Sequence, residues 1–130
     1  MSKISFEGIG AVVATFAAAD GVKGGQVVKV SANGTVGPCT AGDKFCGVAL
    51  EPRAGAAGVQ VAGFIQVSCT GSLSVGPALL VADGQGGVKA AASQSVTPES
   101  GGQVVIPAPA GVSALVVSVD SAAKTAVVCL

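Results

Sequence analysis

The residue types that most often carry acid–base and nucleophilic chemistry are scarce in this chain of 130 residues. It contains no His, Trp or Tyr, and its seven basic and seven acidic residues are spread along the sequence. Without His, an ordinary Ser-His-Asp or Cys-His catalytic site is excluded. Any chemistry open to the chain depends on its serines, lysines, carboxylates and cysteines.

The segment Ser121–Lys124 fits the Ser-x-x-Lys signature of a serine nucleophile in penicillin-binding enzymes. In those enzymes the motif opens a helix and is accompanied by Ser-Asp-Asn and Lys-Thr-Gly, and neither of these occurs here. The segment lies between two Val-rich runs, a position that favours a hairpin turn. We therefore interpret Ser121–Lys124 as a turn.

The acidic residues show no catalytic spacing either. Gly42–Lys44 has an Asp-Lys pair after a glycine, but it lacks the upstream glycine of a phosphate-binding loop and predicts a turn before a strand at Phe45–Leu50. Asp43 and Glu51 are the nearest pair of carboxylates in the sequence, and nothing in their spacing predicts that they converge. These patterns predict that the protein is not an enzyme and has no catalytic or cofactor-binding residues.

Four cysteines, Cys39, Cys46, Cys69 and Cys129, are spaced irregularly. No Cys-x-x-Cys motif is present and no His could share a zinc site, so we predict no metal site. A Cys39–Cys46 disulfide is sterically conceivable across a hairpin, but free buried thiols in an intracellularly made protein are the favoured interpretation.

The composition is apolar and electrically neutral. Hydrophobic residues make up 50% of the chain, aromatics only 3%, the net charge is zero and the mean hydropathy is +0.72. Zero net charge gives no electrostatic attraction to nucleic acid or anionic lipid, so we predict neither as a partner. So large an apolar content favours burial between subunits, and we predict a homo-oligomer.

A membrane span or a secretion signal is not predicted. The longest apolar run near the start, Ile9–Ala19, is about half of the roughly 20 residues that a spanning helix needs, and Gly10 and Thr15 interrupt it. Glu7 stands where a signal peptide would carry positive charge. We therefore expect a protein made in the cytoplasm.

Short Val-rich runs separated by glycine- and proline-containing turns predict β-structure along most of the chain. Ala90–Ser93 is the best patch for a helical turn, and it is too short to be stable alone. Tight turns are predicted at Asn33-Gly34, Asp83–Gly87 and Asp120–Lys124. The predicted strands are Gln26–Val30, Phe45–Leu50, Val59–Cys69, Ala78–Val81, Val88–Ala90, Gln103–Ile106, Ser113–Val119 and Thr125–Leu130.

The predicted fold is all-β: a compact single-domain β-barrel or sandwich with short strands. The apolar residues 1–23 precede the recognisable β pattern and are predicted to form an N-terminal arm, and residues 24–130 the β domain. Ser93–Gly102 is rich in Ser, Thr, Pro and Gly, and is short enough to cross between strands of one domain.

The order of several of these segments resembles that of the small head decoration proteins of tailed phages and prophages. In those proteins a Gly-Val-Ala strand, a Val-x-Val-x-Gly strand and a final Val-rich hairpin recur. The corresponding segments here are Gly42–Ala49, Gly58–Val67, Val75–Pro77, Asp83–Val88, Leu115–Asp120 and Thr125–Val128. The resemblance covers most of the chain from Gly24 onward, and it breaks at Gly76-Pro77, where the family usually has Gly-Asp.

This resemblance implies a structural protein that binds the assembled phage head and stabilises it. It implies the phage major capsid protein as partner, a homotrimer as the favoured assembly, and a place on the capsid exterior of the virion after synthesis in the bacterial cytoplasm. The segment Met1–Ala19 is then expected to reach a neighbouring subunit. Its deletion is expected to weaken capsid binding or oligomerisation while leaving the β domain folded.

Two other classes of function stay open at this point. The first is a carbohydrate- or ligand-binding β module, although aromatic platforms for sugars could come only from Phe6, Phe16, Phe45 and Phe64. The second is an enzyme that uses Asp, Ser, Lys or Cys without His.

Overall fold

The structure, a computed structural model, describes residues 9–92 and 111–130, and within these ranges it contains ten β-strands and no helix. The prediction of a compact all-β domain is confirmed. The strands are β1 (Val12–Ala18), β2 (Val27–Ala32), β3 (Thr35–Pro38), β4 (Gly47–Ala49), β5 (Ala56–Ala62), β6 (Phe64–Ser68), β7 (Gly76–Ala82), β8 (Val88–Ala90), β9 (Val112–Asp120) and β10 (Thr125–Cys129). In the described part of the chain there is accordingly no helix that could cross a membrane.

Some sequence predictions fall outside the described residues. The strand predicted at Gln103–Ile106 and the crossing segment Ser93–Gly102 both lie there. Ala90, the first residue of the patch named as the best position for a helical turn, ends β8 and pairs with Leu80 of β7.

The first five strands form a closed barrel in the order β1-β3-β2-β4-β5. β2 and β3 are an antiparallel hairpin joined at Asn33-Gly34, and Gly34 has a φ of 61° there, which confirms the predicted tight turn. β1 closes the barrel by pairing parallel to β3 and antiparallel to β5. Closure removes the free strand edges that an open sheet exposes.

The predicted boundary of the N-terminal arm, residues 1–23, is corrected by β1. Val12–Ala18 is not an arm but a barrel strand that pairs with β5 over most of its length, from Val12 opposite Ala62 to Ala17 opposite Ala56. Phe16 packs onto the core inside the barrel, so this strand alternates between inward and outward side chains. Deleting Met1–Ala19 would therefore remove a strand and open the barrel.

The interior of this barrel is narrow and is filled by small side chains. Four fully buried residues form its centre: Val28, Val36, Ala49 and Val59. A five-stranded barrel has a smaller interior than the eight-stranded barrels whose lumen side chains just fill, so Val and Ala are the sizes that fit. The Val- and Ala-rich composition is thus a packing requirement of the fold.

The other five strands form a second sheet in the order β6-β10-β9-β7-β8. β9 and β10 are the C-terminal hairpin predicted from the sequence. Just after β6, Cys69 makes a parallel bridge with Val88, and the Thr70 amide donates to the Val88 carbonyl at 2.9 Å. These contacts bring the two edges of the sheet together, so the sheet curls around its own core.

The two sheets share a larger core. Leu80, Val116 and Val128 of the second sheet are fully buried in one cluster with Val27 and Val48, which point outward from the barrel. Each buried Val or Leu contributes roughly 1.5–3 kcal/mol to stability. The outer face of β2 and β4 is therefore not a surface but half of the interface between the layers.

The chain passes from one sheet to the other at Gly63. The sequence predicts one strand over Val59–Cys69, and this is wrong: β5 ends at Ala62 and β6 begins at Phe64 in a different sheet. Gly63 has a φ of 93°, and a Cβ added to it would lie 2.6 Å from the carbonyl carbon and oxygen of Gly10. Apolar residues continue at every second position across this break. The two-residue period of the sequence therefore does not reveal where β5 ends and β6 begins.

The side chain of Gln60 stabilises the crossing at Gly63 by hydrogen bonds. Its side chain is buried, at 6% exposure, and its Nε2 donates to the carbonyl of Ala62 at 3.1 Å and to the carbonyl of Phe64 at 3.2 Å. A buried amide is tolerated only when it is hydrogen-bonded. One side chain thus satisfies a carbonyl on each side of the break.

We expect Gly63→Ala to destabilise the protein more than Gly42→Ala. Both positions have a positive φ, 93° and 89°, but an added Cβ at Gly42 meets nothing within 4 Å. A non-glycine residue in such a conformation costs roughly 1–3 kcal/mol, and only Gly63→Ala adds the clash with Gly10. Urea unfolding of both variants measures the difference, and equal losses of unfolding free energy would contradict the tight contact.

Candidate functional site

The Ser-x-x-Lys segment lies in the turn between β9 and β10, as predicted. Oδ1 of Asp120 accepts hydrogen bonds from the amides of Ala122 and Ala123, both at 3.1 Å, and this holds the turn closed. Lys124 ends the turn with a φ of 56°. Ser121 opens no helix, so the arrangement that the penicillin-binding signature requires is not formed here.

Asp43 also stabilises a turn, as the sequence predicts. Its Oδ2 accepts from the amide and the hydroxyl of Thr40, both at 3.0 Å, and from Nζ of Lys29 at 2.5 Å. The hydrogen bond from Lys29, helped by those from Thr40, lowers the pKa of Asp43 to about 2. The strand after this turn is Gly47–Ala49, shorter than the predicted Phe45–Leu50.

The Asp43 turn joins the two sheets. The Gly42 amide donates to the Ala82 carbonyl and the Ala82 amide donates to the Asp43 carbonyl, both at 2.9 Å, so the turn pairs with the end of β7. Lys29 extends from β2 of the barrel to the same carboxylate. The carboxylate of Glu51 lies elsewhere, against Gly24, so Asp43 and Glu51 have separate structural surroundings.

All four cysteines are free thiols; Cys69 is buried and the other three are partly buried. Burial raises the pKa of Cys39 to about 11, and it also raises the pKa values of Cys46 and Cys69. A raised pKa keeps a thiol protonated at neutral pH, when it is a poor nucleophile and a poor metal ligand. Among the described residues no group of three or more Cys, Asp or Glu could hold a metal ion.

Exposed apolar side chains lie on the outer face of the barrel. Val13 and Leu50 are 49% and 44% exposed, and their side chains come together over Gly58, where an added Cβ would touch both. Neither β1 (VVATFAA) nor β5 (AAGVQVA) contains a charged residue. We call Val13, Leu50 and Gly58, with the exposed Val12 beside them, the barrel face.

A second set of exposed apolar residues lies on the outside of the other sheet. The strand registers place Pro77 opposite Leu115, and Leu115 opposite Cys129, in one row across β7, β9 and β10. Leu79 and Val75 are exposed beside this row, next to a groove of about 520 Å³. A contiguous exposed apolar patch larger than about 300–600 Å² is typical of a surface that contacts other molecules.

Sequence reasoning missed the barrel face because it assigned Val12 and Val13 to an arm. The sequence VVATFAA has no alternation of apolar and polar residues that would mark a strand, and the alternation appears only in the burial of its side chains. What the sequence could not show is that Leu50, from a different segment, lies across Gly58 from Val13.

No family profile matches the chain, and no curated protein is significantly similar to it.

We expect the Asp43–Lys29 ion pair to make stability depend on acid pH. The folded pKa of about 2 lies below the ordinary 3.8, so the stabilisation is present above about pH 4 and is lost as the pH falls through about 2. Asp43→Asn should lower the melting temperature at pH 7. Near pH 2 the melting temperatures of the variant and the wild type should be nearly equal.

The matched control for this experiment is Asp20→Asn, which removes the same charge from an exposed position of the barrel segment. Its melting temperature should follow that of the wild type across the acid range. A deficit of Asp43→Asn that is as large at pH 2 as at pH 7 would contradict the role of the ion pair.

We expect neither reductant nor chelator to change the melting temperature, since the thiols are free and irregularly placed. Differential scanning fluorimetry with and without dithiothreitol or EDTA measures this. A large fall with either reagent would show a disulfide or a metal that stabilises the fold.

Proposed function

We propose that this protein is a structural component of a phage capsid: it binds the outside of the assembled head as a homo-oligomer, most simply a trimer, and stabilises the shell. The observation that carries the proposal is the barrel face, where the exposed side chains of Val13 in β1 and of Leu50 after β4 meet over Gly58 of β5. The resemblance of the segment order to head decoration proteins supports it from the sequence.

The closed barrel determines how such contacts would form. Each barrel strand pairs with a neighbour on both sides over at least part of its length, which leaves little free edge to which a strand could be added. Side-chain faces are then the larger surface for contact, and Val13 and Leu50 supply exposed apolar area on one of them. The major capsid protein, or a second copy of this chain, would cover that face.

Stabilising a shell requires binding and no chemistry. A protein that binds only the assembled state shifts the equilibrium toward that state by mass action. Asp43 and Asp120 accept hydrogen bonds from backbone amides of turns, so these two carboxylates have structural roles. This agrees with a function that needs binding alone. No reactive group of the described chain is required for the proposed role.

The proposal predicts that two lysines on the barrel face abolish association. Val13→Lys with Leu50→Lys puts two positive charges where an apolar contact forms, and burying them unpaired is strongly unfavourable. Gln66→Lys with Ser118→Lys is the matched control, because both residues are exposed strand positions of the other sheet. Light scattering measures the oligomeric state, and co-sedimentation measures binding to shells of the major capsid protein from the same genome.

Binding through this face should also depend little on salt. Between about 0.1 M and about 1 M salt the Debye length falls from about 10 Å to about 3 Å, which weakens exposed ion pairs but not apolar contacts. A wild-type protein that stays monomeric at high concentration and fails to co-sediment with the shells would overturn the proposal. A steep loss of binding with salt would overturn the apolar mode of contact.

A further inference from the structure

A polar cleft lies apart from the barrel face, at the end of the second sheet. It has a volume of about 580 Å³ and is bounded by the segment after β6, by the start of the β7–β8 turn and by the β9–β10 turn. This volume lies within the range of about 300–1,000 Å³ that is usual for small-molecule sites. Its polar lining residues are Ser68, Thr70, Ser72, Asp83, Gln85, Ser121 and Lys124.

Hydrogen bonds fix the walls of the cleft to the sheet. The Cys69 amide donates to the Lys124 carbonyl at 2.9 Å, which joins the segment after β6 to the β9–β10 turn. The Thr70 amide donates to Val88 of β8, also at 2.9 Å. A cleft whose walls are held in this way is formed before any ligand arrives, which lowers the entropic cost of binding.

Asp83 organises the floor of the cleft. Its Oδ1 accepts from the amides of Gln85 at 2.7 Å and Gly87 at 3.0 Å, and its Oδ2 accepts from the hydroxyl of Thr70 at 2.6 Å. Because the Thr70 proton points at Asp83, the Thr70 oxygen presents its lone pairs to the cleft and can accept a hydrogen bond from a ligand hydroxyl. Ser68, Ser72 and Ser121 add hydroxyls that can both donate and accept.

Lys124 supplies the positive charge of the cleft. Among the described residues, the Lys124 ammonium makes no hydrogen bond or ion pair. The backbone carbonyl of Lys124 accepts a hydrogen bond from the Cys69 amide. Its φ of 56° is a left-handed conformation that glycine or asparagine adopts more readily. This conformation is the one that the last residue of a hairpin turn commonly adopts.

From these observations we infer that the cleft binds a sugar acid, that is, a small polyhydroxylated molecule with one carboxylate. Lys124 pairs with the carboxylate, and the Thr70 and serine hydroxyls bind the sugar hydroxyls. The fixed negative charge of Asp83 disfavours a dianion such as a sugar phosphate. No aromatic side chain of the described residues lines the cleft, so among these residues recognition uses polar contacts and not ring stacking.

This inference does not depend on the proposed capsid role. It gives the alternative of a carbohydrate-binding β module a definite location, on a surface that the barrel face does not include. A protein bound to a shell through the barrel face could still bind a ligand in the cleft.

The experiment is a titration of the isotopically labelled full chain with glucuronate, glucose and glucose 6-phosphate, followed by amide chemical shifts. Glucuronate should shift the amides of the cleft lining, with Cys69, Thr70 and Ser121 among them, and bind more tightly than the other two sugars. A charged hydrogen bond contributes enough that its loss weakens binding by about tenfold or more. Glucose should therefore bind at least about tenfold more weakly than glucuronate.

Two variants separate the charge of Lys124 from its effect on folding. Lys124→Gly removes the ammonium and relieves the left-handed backbone, so it should fold at least as well as the wild type and bind glucuronate about tenfold or more weakly. Lys124→Arg should retain binding. Absence of shifts at millimolar glucuronate, shifts confined to residues outside the cleft, or equal binding by Lys124→Gly would each overturn the assignment.

Discussion

The two-layer structure depends on how the chain crosses from one sheet to the other at Gly63. β5 belongs to the barrel and β6 to the second sheet, and one glycine with a φ of 93° separates them. Its missing Cβ leaves room for the backbone of Gly10, while Gln60 donates to a carbonyl on each side. Val59 on one side of the break packs in the core inside the barrel, and Val67 on the other side packs with Val48 in the core between the two sheets.

Polar and apolar side chains have distinct tasks in this fold. Asp43, Asp83 and Asp120 accept hydrogen bonds from nearby backbone amides and so fix turns. The strands between those turns are mostly uncharged, and barrel closure leaves them little free backbone edge at that sheet. Outward-facing Val13 and Leu50 are therefore available for contact with another molecule, which is the physical basis of the capsid proposal.

Local patterns predicted the local structure well. The Asn33-Gly34 hairpin, the Asp120–Lys124 turn and the final pair of strands lie where the sequence places them, because turn residues and alternation act over a few neighbouring positions. The sequence predictions were wrong where pairing with distant segments of the chain determines the structure. Val59–Cys69 alternates without interruption, yet its halves pair with different strands, and Val12–Ala18 became a barrel strand because β5 was there to pair with it.

The sequence by itself determined the fold class, the turns and the lack of histidine-based catalysis, since these follow from composition and short-range spacing. Tertiary structure decided the closure of the barrel, the crossing at Gly63 and both candidate surfaces. The barrel face joins Val13 to Leu50, and the cleft joins Thr70 to Lys124, residues far apart in the chain. Such pairs meet only when the strands between them have paired, and strand pairing over long separations leaves no periodic signal in a single sequence.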